Sequence, residues 1–521
     1  MSASAPNRGL VVFSGGSAAN NLVDVFNAVR GSKQCSLSYI IPISDNGGSS
    51  SELIRIFGGP GIGDVRSRLV RLIPESPPNS ERAAIKALFN HRLPADASLA
   101  HAEWLSIVDG TSILWAAITP AKRELIRSFF NLLNLEILKR ARPPTSTFDF
   151  TSASVGNLFL TGARLFSGSF ESAIYLLGSI GGVPWDLVRV IPAINSNFSH
   201  HISASLANGT IIVGQNSISH PCEAIPLRSP RPLLADGTEN SHHNHFQFSS
   251  LSSSSTPTPT PTPYFEDDDH PPGFLPTLRH KNISFSKSGT QDLPSRISRI
   301  WYINPYGQEI QPPANPRVIE SLYDAQAIIY SIGSLYTSII PSIILRGVGQ
   351  AIATGPARHK ILILNGSLDR ETGPSHEPFT AADFVEAITR AGEESRGRGP
   401  LNLNPSAVAV AVEDDGERGK EEERLPYSAY VTHVLHLDGP GTPRVDKDRL
   451  AEMGIETLRL YGRKIVGAAG TEDVALGMRY DSTALVQALE VVLGKKGDAM
   501  LRGNDRSGMS RRNTLDPGRR D

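Results

Sequence analysis

The chain has 521 residues, with 51 lysine and arginine residues and 52 aspartate and glutamate residues. Because these charges balance, the chain has no overall positive electrostatic field that would attract nucleic acid or an anionic membrane. Two cysteines, Cys35 and Cys222, are too few for a disulfide framework or a zinc site and favour a reducing compartment. The first residues lack the apolar core of a signal peptide, and no apolar run is long enough to cross a bilayer. We therefore expect a soluble cytoplasmic protein with no membrane or nucleic-acid partner.

The first predicted element is a short buried strand at residues 10–13, followed by an apolar spacing typical of a helix. The turn between them reads S-G-G-S-A-A-N. Gly15 and Gly16 let a ligand approach the backbone, while Ser14 and Ser17 add hydroxyl donors beside the free amides of the helix start. Such a turn suits phosphate. An ordinary strand-to-helix turn is the alternative, because the spacing matches no dinucleotide or Walker fingerprint.

A second buried strand is predicted at residues 37–43, and it ends in a loop of glycines and hydroxyls. Parallel strands end at one edge of a sheet, so this loop should lie beside the first. Asp45 falls at the strand end, where a carboxylate could bind phosphate, a metal ion or a ribose; an Asx turn that holds the loop is the alternative. The residues of this loop that are candidate phosphate contacts are Asn46, Gly47, Gly48 and Ser49.

Two later segments carry further candidates. A glycine run at residues 58–63 leads into Asp64 and Arg66, which could contact a ligand; alternatively, Asp64 could be the N-cap of the helix that follows. Gly156 and Asn157 open another helix, where backbone amides and the amide side chain could hold a ligand. The alternative for Gly156 is that it only permits close packing.

The remaining ordered sequence alternates strands and helices. Strands are predicted at 188–192, 297–303, 327–330, 360–364 and 431–437, and helices at 80–93, 123–140, 170–180, 316–323 and 481–493. The alternation around Asn208 and Gly209 predicts a β-hairpin at 202–213 that adds to the sheet. Small polar loops follow two of the strands, at 331–341 and 365–367. If the sheet is parallel, four such loops form one crevice, where open α/β folds bind ligands.

The domain organisation follows from shifts in composition. We expect a single α/β domain at 8–493, interrupted by disordered inserts at 229–294 and 392–424 and followed by a disordered basic tail at 495–521. The first insert contains histidine, serine and T-P-T-P-T-P tracts, which cannot bury enough apolar surface to offset the entropy of ordering. The sequence leaves open whether protein partners bind through these inserts and whether the chain forms a homodimer.

Taken together, the loop sequences resemble those of the 2-phospho-L-lactate transferases (CofD-like proteins) and of their gluconeogenesis-factor type relatives. The motifs occur in family order: S-G-G-S-A-A-N at 14–20, S-D-N-G-G-S-S-S at 44–51, G-D-V-R-S-R-L at 63–69, L-F-N-H-R-L at 88–93, S-V-G-N-L-F-L at 154–160 and G-S-L-Y-T-S-I-I-P-S at 333–342. Three of these segments are closer in sequence to the gluconeogenesis-factor branch: D-N-G-G-S-S, G-D-V-R and G-N-L-F-L.

The resemblance implies a Rossmann-like, mostly parallel, doubly wound sheet whose loops hold a nucleotide diphosphate with Mg²⁺. Asp45 and Asp64 become the candidate catalytic and metal-binding residues. Phosphate contacts are implied for Gly15, Gly16 and Ser17, and Asn157, Gly333, Ser334 and Thr337 would line the site. In the transferase branch, a hydroxyl of a deazaflavin precursor attacks the phosphoryl group of lactyl-diphospho-guanosine and releases a nucleoside monophosphate.

Two other functions are compatible with parts of the sequence. The regulator branch implies a non-catalytic protein that binds a nucleotide sugar, and Asn46 stands where relatives often carry a second acid, which lowers the negative charge available for Mg²⁺. A nicotinamide dehydrogenase is less favoured because the fingerprint spacing is absent. We expect a Mg²⁺-dependent transferase, with the nucleotide-sugar regulator as the alternative.

Overall fold

The computed structural model describes residues 8–45, 47–143, 146–219, 275, 292–397, 426–466 and 475–494. Asn46, the predicted tail at 495–521 and most of the two predicted inserts therefore lie outside the described residues. In chain order, the strands are β1 (Gly9–Phe13), β2 (Leu37–Ile41), β3 (Val188–Pro192), β4 (His201–Leu206), β5 (Ile211–Val213), β6 (Ile297–Ile303), β7 (Glu309–Ile310), β8 (Ala325–Tyr330), β9 (His359–Ile363), β10 (His433–His436), β11 (Glu456–Arg459), β12 (Gly462–Val466) and β13 (Ala475–Tyr480).

Helices cover the strands. They are α1 (Val23–Lys33), α2 (Ser49–Phe57), α3 (Gly63–Leu72), α4 (Glu81–Asn90), α5 (Ala97–Asp109), α6 (Pro120–Arg140), α7 (Val155–Ser167), α8 (Phe170–Gly181), α9 (Gln215–Ser219), α10 (Pro316–Tyr323), α11 (Ile340–Ile343), α12 (Val348–Thr354), α13 (Ala381–Ser395), α14 (Tyr427–Tyr430), α15 (Lys447–Glu452) and α16 (Ser482–Val492). Side-chain caps fix several helix starts: Ser80 accepts from the Ala83 amide, and Asp481 accepts from the Ala484 amide.

Seven of the described strands form one parallel sheet in the order β11-β10-β9-β8-β1-β2-β3. The chain moves outward from β1 through β2 and β3, and then outward on the other side from β8 through β9 to β11. The strand order therefore reverses between β1 and β8, the position where open α/β sheets bind ligands. This confirms the predicted Rossmann-like, doubly wound fold.

The central strands end level with one another. Phe13 pairs with Ile40 of β2 and with Tyr330 of β8, and the Phe13 and Tyr330 rings stack with centroids 5.6 Å apart. Every residue of β1 and β2 is buried, as expected for strands covered by helices on both faces. The loops that follow β1, β2 and β8 consequently leave the sheet at the same height.

The predicted hairpin is present, but it belongs to a separate antiparallel sheet of the order β5-β4-β6-β7. β4 pairs with β6 from His201 to Leu206. β6, which was predicted only as a strand, therefore lies inside this sheet between β4 and β7. The buried Tyr302 hydroxyl donates to the carbonyl of Pro341 at 3.0 Å, and this contact fastens the small sheet beside the segment that follows β8. A second hairpin, β12 with β13, was not predicted.

Some element boundaries differ from the sequence-based expectation. α13 continues to Ser395, beyond the predicted insert start at Gly392, because a Thr380 and Asp383 capping box and a buried apolar face stabilise it. Near the end of the other predicted insert, Leu293 is fully buried. Within the described ranges, no helix has the length and apolar character needed to span a membrane.

Candidate functional site

The loop after β1 lies at the switch point and is wedged between two other segments. A Cβ atom at Gly15 would overlap the Ser338 hydroxyl, and one at Gly16 would overlap the Asp64 carboxylate and lie 3.0 Å from Asp64 Cα. Glycine is therefore required at both positions by close approach. The loop brings the start of α3 and the segment after β8 into one place.

Arg68 holds this loop from the interior. Its guanidinium is fully buried and donates to the carbonyl oxygens of Ala19 at 3.2 Å and Gly15 at 3.1 Å and to the Ser14 hydroxyl at 3.3 Å. The guanidinium also lies 4.4 Å from the centre of the Tyr39 ring. The Ser14 side chain is thus engaged within the protein, whereas the side chain of Ser17 is exposed. Sequence reasoning did not single out Arg68.

Asp45 and Asp64 form a carboxylate pair across the loop after β2 and the start of α3. Asp45 accepts from the Gly47 amide at 3.0 Å and from the Ser50 hydroxyl at 3.2 Å, so the Asx turn considered from the sequence is present. Asp64 accepts from the Gly16 amide. The N-cap of α3 is Ile62 and Asp64 lies in its first turn, so Asp64 is not the N-cap.

Burial and mutual repulsion disfavour the charged forms of this pair. Burial raises the pKa of Asp45, and burial followed by the charge of Asp45 raises the pKa of Asp64 to about 7. A cation beside the two carboxylates would offset this repulsion. The Arg66 guanidinium supplies some positive charge. Burial lowers the pKa of Arg66 to about 10, and the negative charges of Asp64 and Asp45 act in the opposite direction.

Arg66 is held in place from behind. Its Nε donates to Asn157 Oδ1 at 3.2 Å, and Asn157 Nδ2 donates to the Ser49 hydroxyl at 3.0 Å. Both Ser49 and Asn157 are buried. A Cβ at Gly156 would overlap the carbonyl of Phe89. Gly156 therefore permits close packing, which was the alternative considered from the sequence. The predicted residues Ser49 and Asn157 therefore brace the Arg66 guanidinium.

A second acid pair, Asp369 and Glu371, lies on the other side of the loop after β8, and sequence reasoning missed it. Glu371 accepts from the amides of Tyr336 at 3.2 Å and Thr337 at 3.1 Å, and from the Thr337 hydroxyl at 2.5 Å. Asp369 accepts from the Ser334 hydroxyl and from the Glu371 amide, the latter at 3.2 Å. Burial raises the pKa of Asp369 to about 6, and burial together with the Asp369 charge raises that of Glu371 to about 8.

The loop after β8 is tied to the loop after β9. Asn365 accepts from the Gly333 amide at 2.8 Å and donates to the Gly333 carbonyl at 2.9 Å. Gly333 has φ +138°, a conformation that L side chains rarely adopt. Gly333 and Ser334 are partly exposed, and Thr337 is buried against Glu371. The strand-end rule that pointed to residues 365–367 would have found Asp369 if extended by two residues.

The structure thus brings the four loops together, with Gly47 and Gly48 partly exposed among them. In the described part of the chain, no group of three or more histidine, cysteine, aspartate and glutamate side chains could hold a metal ion. Asp45 and Asp64 are the residues that could hold a Mg²⁺ ion, since this ion prefers oxygen ligands. Two cavities of about 290 Å³ each lie elsewhere, one between β6 and α13 and one beside β3.

The chain is similar to several known proteins. The family model described as 2-phospho-L-lactate transferase CofD matches residues 10–459. An uncharacterized protein of Saccharomyces cerevisiae is 42% identical over 368 residues, which are 70% of this chain and 79% of that protein. The gluconeogenesis factor of Bacillus subtilis is 32% identical over 103 residues, which are 20% of this chain and 31% of that protein.

Among solved structures, a crystal structure of a protein from Bacillus halodurans superposes with a TM-score of 0.51. The match covers 93% of this chain and 100% of that one at 19% sequence identity. At this identity the likeness concerns the fold alone.

Proposed function

Because the chain belongs to the 2-phospho-L-lactate transferase CofD family, we propose that it is a Mg²⁺-dependent transferase that moves a phospholactate-like group from a nucleotide diphosphate donor to a hydroxyl acceptor. The observation that carries the proposal is the position of Asp45, Asp64 and Arg66 beside the glycine loop at the switch point. Family membership gives the transferase type, and the ion, donor and acceptor are our proposal.

In this proposal, the donor diphosphate lies on the backbone of the first loop. Gly15 and Gly16 are buried and let Ser338 and Asp64 lie against this loop, whereas the hydroxyl of Ser17 is exposed and could contact the diphosphate. Asp45 and Asp64 would hold the cation, which when bound neutralises charge on the phosphate oxygens. The buried guanidinium of Arg66 adds a fixed positive charge from the interior.

The reaction needs no covalent nucleophile from the protein. Phosphoryl transfer depends on positioning and charge neutralisation, and the site supplies both through rigid groups. The acceptor oxygen forms a bond to phosphorus as the bond to the nucleoside monophosphate breaks. Arg66 resists displacement because Asn157 and Ser49 fix its orientation.

The test compares Asp45→Asn with Asp24→Asn, an exposed surface acid paired with Arg71. With lactyl-diphospho-guanosine, Mg²⁺ and a deazaflavin precursor, we expect the wild-type protein to release nucleoside monophosphate. Asp45→Asn should lower kcat by roughly 100-fold or more because cation binding is weakened, while Asp24→Asn should be unchanged.

A second candidate function is a regulator that binds a nucleotide sugar without turnover, and the likeness to the Bacillus subtilis gluconeogenesis factor favours it. The same experiment separates the two. Tight binding of a nucleotide sugar, measured by calorimetry, with no monophosphate released from any donor would contradict the transferase and support the regulator.

A further inference from the structure

The carboxyl edge of the sheet carries more acid than phosphate binding uses. Asp45 and Asp64 lie on one side of the loop after β8, and Asp369 and Glu371 lie on the other. Both pairs lie near the same two segments: a Cβ added at Gly15 would lie 3.3 Å from Asp64 Oδ2 and would overlap the Ser338 hydroxyl, and the Ser338 amide donates to the Ser334 carbonyl at 3.0 Å. Ser334 in turn donates its hydroxyl to Asp369.

The two acids of the second pair have different access to a ligand. Glu371 is only 1% exposed, and its oxygens are engaged by two amides and one hydroxyl of the loop after β8. Asp369 is partly exposed and lies beside Ser334, which is also partly exposed. Asp369 can therefore touch a bound molecule, whereas the Glu371 carboxylate holds the loop after β8 and only its backbone amide contacts Asp369.

The charges around Asp369 suit a group that exchanges a proton near neutral pH. After burial, the hydrogen bonds from Ser334 and the amides of Glu371 and Thr372, and the charge of Arg370, favour its ionised form. Neither packed segment, Leu335–Ile339 nor α9, contributes a charged side chain. Glu371 is a further charged neighbour, and its raised pKa keeps it largely protonated at pH 7. Burial raises the pKa of Asp369 to about 6, so the carboxylate is the main form at pH 7.

We propose, on the basis of the transferase function above, that Asp369 accepts the proton of the acceptor alcohol and that Glu371 is a positioning residue. The alcohol oxygen forms the new bond to phosphorus as its proton passes to the Asp369 carboxylate. The bond between phosphorus and the nucleoside monophosphate breaks, and the monophosphate leaves as an anion. Water takes the proton from Asp369 after the product departs. The acceptor site is thus the region beside Ser334, opposite Asp45 and Asp64.

The experiment measures kcat, donor binding and the pH profile for Asp369→Asn, with Asp186→Asn, a change at an exposed residue, as the control. Asp369→Asn should lower kcat by roughly 100-fold to 1000-fold. Its donor Kd, measured by calorimetry with lactyl-diphospho-guanosine and Mg²⁺, should stay within about threefold because the donor contacts the other acid pair. The wild-type kcat should rise with pH through about 6, since the protonated carboxyl accepts no proton, and this limb should vanish in the variant.

Two further variants keep the interpretation clear. Asp369→Glu retains a carboxylate and should recover part of kcat together with the pH limb, which a purely structural role does not predict. Glu371→Gln should lower kcat less than Asp369→Asn and leave the limb in place. An unchanged kcat in Asp369→Asn, or a limb that persists there, overturns the role of Asp369 while the transferase stands. A wild-type protein that binds nucleotide without turnover overturns the transferase, and the role of Asp369 with it.

Discussion

At the residue scale, the site depends on positions where a side chain cannot be accommodated. The amide of Gly16 donates to the Asp64 carboxylate. The same carboxylate occupies the space that a Cβ at Gly16 would fill. The carboxylate can accept from the amide only at this short approach. The glycine therefore sets the position of a candidate metal-binding acid as well as the shape of the loop.

Gly16→Ala should displace Asp64, since the Asp64 Cα lies 3.0 Å from the added atom and backbone yields less readily than a flexible side chain. We expect a loss of roughly 1 to 3 kcal/mol in the free energy of unfolding, and weaker binding of nucleotide with Mg²⁺. Chemical denaturation and calorimetry measure the two effects.

The matched control is Gly31→Ala in α1, where an added Cβ meets nothing within 4 Å. This variant should stabilise the protein by about 0.5 to 1 kcal/mol, because alanine favours a helix over glycine. If Gly16→Ala behaves like Gly31→Ala, the close approach to Asp64 has no energetic role.

At the element scale, the segment after β8 depends on an acid from the segment after β9. Tyr336 and Thr337 donate both backbone amides to Glu371, which satisfies the first donors of the π-helical turn Leu335–Ile339. Glu371 therefore acts as a cap supplied from another element. The stability of this part of the site should depend on its protonation state.

Because the folded protein raises the pKa of Glu371 from 4.5 to about 8, it binds more protons than the unfolded chain between these values. The contribution to stability is present at low pH and is lost as the pH rises through this window. Asp369, raised from 3.8 to about 6, acts in the same direction. We expect the Tm to fall between pH 5.5 and pH 8. Glu371→Gln should flatten this dependence, and an identical slope in the variant would contradict the assignment.

How much of these elements could be predicted follows from the range of the interactions. The parallel strands and the glycine loops were predicted because apolar runs and strand-end turns are local signals. The pairing of β4 with β6 joins segments more than 90 residues apart in the sequence, and no local pattern records it. Arg68 and Glu371 appear ordinary in the sequence, since only burial in the folded protein makes their charges unusual.

At the scale of the whole molecule, the switch point joins the two halves of the sheet. β1 to β3 carry the glycine loop and Asp45, and β8 to β11 carry Ser334, Asp369 and Glu371. The two halves meet where β1 pairs with β8, and Gly15, two residues after β1, lies close to Ser338 in the segment after β8. A ligand that spans the loops would therefore hold both halves together.

Binding at this position should stabilise the entire sheet. A nucleoside diphosphate with Mg²⁺ at about 100 times its Kd should add about 2.7 kcal/mol to the free energy of unfolding, because it binds only the folded form. We expect the increase in Tm to require both components and to shrink in Asp45→Asn, since the Asp45 carboxylate would help to hold the ion, which would neutralise charge on the diphosphate. A full shift with a nicotinamide dinucleotide alone, without Mg²⁺, would instead indicate dinucleotide binding across the same switch point, where the glycine spacing lacks the fingerprint for it.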